Sequence, residues 1–199
     1  TPQGRLKGAL ASFTAPELGG FAIAGALAQG GIDPAEVDAV ILGQVLPAGS
    51  GQNPARQAAL AGGLGWDVPA SGVNKVCLSG LTAVIDATRM LRLGDATVVV
   101  AAGMESMSQA PHLLMGSRAG FKYGDVTMVD HLAHDGLHDV FTDVPMGELT
   151  ETTNDLDYVS RAEQDAFSAR SHQRAAAATA AGVFKAEIEP VVVKGRKGD

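Results

Sequence analysis

Cysteine is nearly absent: 199 residues hold one, Cys77. A lone thiol cannot close an internal disulfide, so a reducing cytoplasm is the expected home. Basic residues are in deficit, 15 Lys and Arg against 22 Asp and Glu, for a net charge of −7. That balance argues against nucleic acid or an anionic membrane as the main partner. Long apolar runs are missing too. The longest are broken by glycine and polar residues and fall short of the roughly 20 residues of a membrane span. No signal peptide is visible. There is no internal repeat, and no low-complexity tract beyond "AAAATAA". What remains is ordinary for a globular protein, 46% hydrophobic and 19% charged. The length suits one good core, or one domain with a large insertion. The opening Thr1-Pro2 and the closing "KGRKGD" read as cut ends, so a fragment or processed chain is expected.

The first hundred residues alternate helix and buried strand. Residues 15–31 read as a helix with Pro16 in its first turn and Gly30-Gly31 at its exit. Asp33, Pro34 and Glu36 make a capped turn. "AVILGQVL", 39–46, is too short for a free-standing helix and reads as a buried strand. After the glycine-rich "PAGSGQNP", Asn53 caps a helix that runs to about Leu60. "SGVNKV", 71–76, is a second strand. The helix after Cys77 puts Leu78, Leu81, Val84, Ile85 and Met90 on one face, and Gly94-Asp95 end it. "ATVVVAAGM", 96–104, has no polar alternation and reads as a strand covered on both faces, as in a parallel sheet. The fold class is therefore α/β layered. Residues 111–159 break the rhythm, and a loop that long is usually functional or an oligomer contact. Ser160 and Glu163 open a last helix with a capping box, Gly182 closes it, and "EIEPVVVKG" reads as a strand. The domain division that follows is 1–110 and 111–199.

Among chemical candidates, Cys77 has two readings from position alone. The commoner is a small buried hydrophobe. The other is a nucleophile, because a sulfur where a strand gives way to a helix faces the positive end of the helix dipole, which favours thiolate. "HLAHDGLH" spaces His131, His134 and His138 in a way that suggests zinc, but Gly136 weakens a single ligand-presenting helix and no cysteine lies nearby. No metal is expected. "GSGQNPARQ" lacks the Gly-Lys-Ser/Thr ending of a phosphate loop. "TETTNDLD" has no calcium-loop pattern and reads as solvated surface, as do Lys185, Lys194, Arg196 and Lys197.

Seven segments, "TPQGR", "APELG", "GQNPARQAAL", "NKVCLSG", "VVVAAGMESMSQAPHLL", "VDHLAHDGL" and "SRAEQDAFSARSHQRAAAA", fall in the order and spacing of one family. Together they resemble thiolases over essentially the whole chain, and bacterial acetyl-CoA acetyltransferases in particular. The resemblance implies a thiolase-like αβαβα layered fold of two similar halves. This chain would be the N-terminal half, its first strand lying before Thr1, with most of the inserted loop domain. It implies that Cys77 is the nucleophile that takes an acyl group from a CoA thioester. The catalytic histidine and second cysteine would lie in the other half, since neither a "GHP" nor a "CxGGG"-like motif occurs here.

The resemblance further implies CoA thioesters as substrates with no cofactor, and a homotetramer held through the segment after Pro111. Leu137 and Met146 would line the pantetheine tunnel. Two departures bear on acyl preference: Pro145 stands where many biosynthetic members carry histidine, and Leu78 stands where alanine is common. Two rival readings remain, a β-ketoacyl synthase-like condensing enzyme and a non-catalytic thiolase-like scaffold subunit.

Overall fold

Helix α1, Ala15–Gly30, starts where local chemistry tells it to. Thr14 and Glu17 form a capping box: Glu17 Oε2 accepts from the Thr14 N–H at 2.7 Å, and the Thr14 hydroxyl accepts from the Glu17 N–H. Two otherwise orphaned backbone donors are thereby satisfied. Pro16 sits in the first turn, and Gly31, at φ 62°, closes the helix in the left-handed region. Asp33 then caps the short 3-10 turn Pro34–Glu36. The computed structural model describes residues 1–193.

Strand β1, Ala39–Gly43, is buried along its whole length. Helix α2, Pro54–Ala61, follows; its N-cap Asn53 accepts from the Arg56 N–H at 3.1 Å. Strand β2, Ala70–Val73, helix α3, Ser79–Leu93, and strand β3, Val99–Gly103, complete the sheet unit. The three strands run parallel in the order β2-β1-β3, with Leu42 opposite Gly72 on one side and Ala102 on the other. Because side chains alternate along a strand, Val40 and Leu42 enter one core with Ile23 and Leu27 of α1 and Ala55 and Ala58 of α2. Ile41 enters the other with Ala83 and Ala87 of α3. Fully burying an aliphatic side chain of this size contributes about 1.5–3 kcal/mol, so Leu42, Val40 and Ile23, the largest fully buried groups, anchor the sheet.

Three expectations need correction. β3 is half-buried rather than covered on both faces, because it pairs only with β1 and forms a sheet edge among the described residues. "EIEPVVVKG" holds no strand as far as Val193. Its last two residues lie outside the described region, as do Lys194, Arg196 and Lys197. The stretch 111–159, read as one long loop, holds short strands and helix α4 below, which takes in most of "TETTNDLD"; that acidic segment is solvated, as expected. The threonines there satisfy their hydroxyls on the preceding turn: Thr150, Thr152 and Thr153 donate to the carbonyls of Met146, Glu148 and Leu149.

The chain divides into two compact units, Thr1–Gly136 with the described residues from Glu189, and Leu137–Ile188. The first unit also contains an antiparallel pair, β4, His112–Leu113, with β5, Val129–Asp130. A π-helical turn begins at Leu132. In the second unit, β6, His138–Asp139, pairs with β7, Val144–Pro145. Helices α4, Met146–Leu156, and α5, Arg161–Ala180, follow, the latter opened by the expected Ser160–Glu163 capping box. Among the described residues no helix is long and apolar enough to cross a membrane.

Candidate active site

Five residues, Asn74–Leu78, join β2 to α3, and Cys77 sits among them, exposed. Its burial as a small hydrophobe is therefore excluded. The strand ends three residues earlier than the pattern predicts, so the thiol sits on a turn just ahead of the helix rather than on its first residue. That turn lies at the carboxyl ends of parallel strands, where open α/β sheets gather ligands.

The turn is strained and tied down. Val76 has φ 48°, a left-handed conformation costly for a β-branched residue, on the order of 1–3 kcal/mol. Side chains on both sides hold it. Asn74 Oδ1 accepts from the Val76 N–H at 3.0 Å. The Ser79 hydroxyl accepts from the Lys75 N–H at 2.9 Å and donates to the Val76 carbonyl at 2.6 Å. Such bonds contribute about 1 kcal/mol each, enough together to offset the strain. Ser79 is buried, as these bonds require.

Glycine lets the head of α3 reach the strand ends. A Cβ on Gly43 would lie 2.6 Å from both the Gly80 nitrogen and the Ser79 carbonyl carbon, closer than real Cβ atoms come. Behind this junction Glu105 follows β3. Its Oε2 accepts from the Val45 N–H at 2.7 Å and its Oε1 from the Leu46 N–H at 3.3 Å. Burial pushes the Glu105 carboxyl above the usual range, while those two N–H groups pull it back.

The three spaced histidines have carboxylate partners. His131, 4% exposed, places Nε2 3.4 Å from the Ala48 N–H and Nδ1 2.6 Å from Asp135 Oδ2. An Nε2 that accepts requires the proton on Nδ1, so His131 donates to Asp135. His134 Nδ1 also meets Asp135, and these contacts hold that carboxyl below the usual range, the His134 bond first. His138, in the second unit, bonds Asp143. Leu137 and Met146 also fall in the second unit. They flank the His138–Pro145 pair of the β6–β7 hairpin, and both are exposed.

Sequence reasoning overlooked Asn74, Ser79 and Glu105, and it weighed His131 only as a metal ligand. Glu105 did leave a signal, an acid directly after the apolar run "VVVAAGM". The others are polar residues whose partners are set by the turn itself or lie in distant segments.

Cys77 is thus an exposed thiol on a restrained turn at the carboxyl edge of a parallel α/β unit. The chain belongs to the thiolase family: the thiolase N-terminal domain matches residues 1–199. It is 59% identical over 199 residues to a probable acetyl-CoA acetyltransferase of Mycobacterium leprae, covering all of this chain and 51% of the relative. An acetyl-CoA acetyltransferase of Cupriavidus necator is 50% identical, covering all of this chain and 51% of its own. A probable acetyl-CoA acyltransferase of Staphylococcus epidermidis is also 50% identical, covering all of this chain and 50% of its own. The chain spans about half the length of the curated relatives it matches.

Proposed function

We propose that this chain is the nucleophile-bearing part of an acetyl-CoA C-acyltransferase that forms or cleaves 3-ketoacyl-CoA such as acetoacetyl-CoA. The observation that carries the reading is the exposed Cys77 on its restrained turn. The Cys77 thiolate attacks the thioester carbonyl carbon. The carbonyl electrons move to oxygen, then return as the CoA thiolate leaves and takes up a proton, so that an acyl-cysteine remains. Thioester exchange is nearly balanced in free energy, and the step runs in both directions. A carbanion formed from a second acetyl-CoA then attacks the acyl carbon and releases Cys77. The groups that move its proton, a histidine and a second cysteine, belong to the other half of such an enzyme.

The oxyanion formed at each attack needs preorganised donors. The backbone N–H of Cys77 is the donor this chain supplies. Leu137 and Met146 line the path of the pantetheine arm, and Pro145 in place of histidine alters the contact offered there. The enzyme assembles as a tetramer through the segment after Pro111.

The test is intact-protein and peptide mass spectrometry of the full-length protein after incubation with acetyl-CoA. One acetyl group on the peptide containing Cys77, absent from Cys77→Ser, is the expected result. No adduct, or the same adduct in Cys77→Ser, overturns the reading and returns the chain to a scaffold role.

A further inference from the structure

The Val45–Leu46 peptide is bonded at both ends by side chains from the two neighbouring strands. Its carbonyl accepts from Asn74 Nδ2 at 3.1 Å, and its N–H donates to Glu105 Oε1 at 3.3 Å. The preceding Val45 N–H donates to Glu105 Oε2 at 2.7 Å. Val45 follows β1, Asn74 follows β2 and Glu105 follows β3, so this linkage runs across the carboxyl ends of all three strands. Its far end is the Asn74 Oδ1 bond to the Val76 N–H, one residue before Cys77.

We propose that Asn74 is a positioning residue for the chemistry of Cys77, with Glu105 as its anchor. The inference rests on the acyl-transfer reading above. Asn74 uses the two ends of its amide for different purposes. The oxygen restrains left-handed Val76, and the NH2 fixes where that oxygen stands by bonding to β1's extension. The carboxylate of Glu105 polarises the peptide it holds, which strengthens the carbonyl as an acceptor for Asn74. Without the linkage only the Ser79 bonds restrain the turn, and Val76 relaxes more readily toward negative φ, the conformation valine prefers. The Cys77 side chain then leaves the direction from which an attack is aligned, and small misplacements of a reacting group are costly in rate.

The test uses the full-length protein with Asn74→Ala, Asn74→Asp, Glu105→Gln and the double variant Asn74→Asp/Glu105→Gln. Circular dichroism and thermal midpoint establish that each folds. Asp is isosteric and keeps the acceptor for Val76, but it cannot donate to Val45. In acetoacetyl-CoA thiolysis, Asn74→Asp is expected to lower kcat about tenfold, and Asn74→Ala about a hundredfold, with KM nearly unchanged. The double variant should be no slower than its slower parent, because both changes break the same linkage. The alkylation rate of Cys77 by iodoacetamide should fall in the same order. Parent-like kcat in Asn74→Asp, or additive losses in the double variant, overturns the proposal. If the unsubstituted protein shows no acyl transfer while the alkylation order holds, the acyl-transfer reading fails and the positioning role stands.

Discussion

Asp38 lies just before β1, and its carboxylate closes the sheet's starting edge. Oδ2 accepts from the Thr97 N–H and hydroxyl, each at 2.7 Å, and from the Val98 N–H at 3.0 Å. The backbone bond from Thr97, followed by that from Val98, holds this carboxyl below the usual range. A carboxyl depressed in the folded state contributes stability above its unfolded value of about 3.9, and loses it as pH falls through the lower folded value. Asp38→Asn is therefore expected to lower the thermal midpoint at neutral pH. The gap to the parent should close as pH falls below about 4. A gap independent of pH would show that the bonds act through shape rather than charge. Glu105 titrates in the opposite sense. Its carboxyl is raised, so its contribution is largest at low pH and is lost as pH rises through the folded value.

Helix α3 shows how a pattern can be right in period and still leave its destination open. Leu78, Leu81, Val84 and Ile85 recur at helical spacing, yet all four are exposed, Leu81 at 57%. The face that meets the sheet is Ser79, Ala83 and Ala87, small residues four apart. Small residues win there because the helix head is pulled onto Gly43, leaving no room for larger side chains. Gly43→Ala is expected to destabilise the domain by about 1–3 kcal/mol, since the added methyl meets backbone that must shift. It should also slow alkylation of Cys77, because the displaced backbone is the head of α3. Chemical denaturation together with the alkylation rate checks both parts. A destabilised variant whose Cys77 reacts at the parent rate would separate the packing from the turn. The caps, by contrast, were legible in the sequence at Asp33, Asn53 and Ser160. A cap is made by residues within three positions of one another, so no distant partner is needed to recognise it.

At the scale of the molecule, the apolar face of α3 is open and β2 and β3 are half-exposed sheet edges among the described residues. Unpaired strand edges and apolar stripes favour association. A polypeptide limited to residues 1–199 is therefore expected to aggregate when produced alone. On the acyl-transfer reading proposed above it should also show no acetoacetyl-CoA thiolysis, because Cys77 would have to serve as nucleophile and base on one intermediate. Size-exclusion chromatography and the loss of acetoacetyl-CoA absorbance on adding CoA read the two outcomes. Soluble 1–199 protein with turnover near that of the full-length protein would place a complete catalytic set within this chain.

Much of this protein is written in short-range chemistry. The alternation of helix and strand, the caps, the buried β1 and the place of Cys77 after a strand all follow from neighbouring residues, whose spacing and hydrogen bonding are fixed by covalent connection. The exposure of Cys77, the left-handed Val76, the closeness of Gly43 to Gly80 and the linkage from Glu105 through Val45 to Asn74 do not. Each depends on which strand ends become neighbours in the sheet. That choice is made by burial of Val40, Ile41 and Leu42 against helices far along the chain, and no local pattern records it. The edge position of β3 has the same origin, since a strand's own residues do not say how many partners it will find.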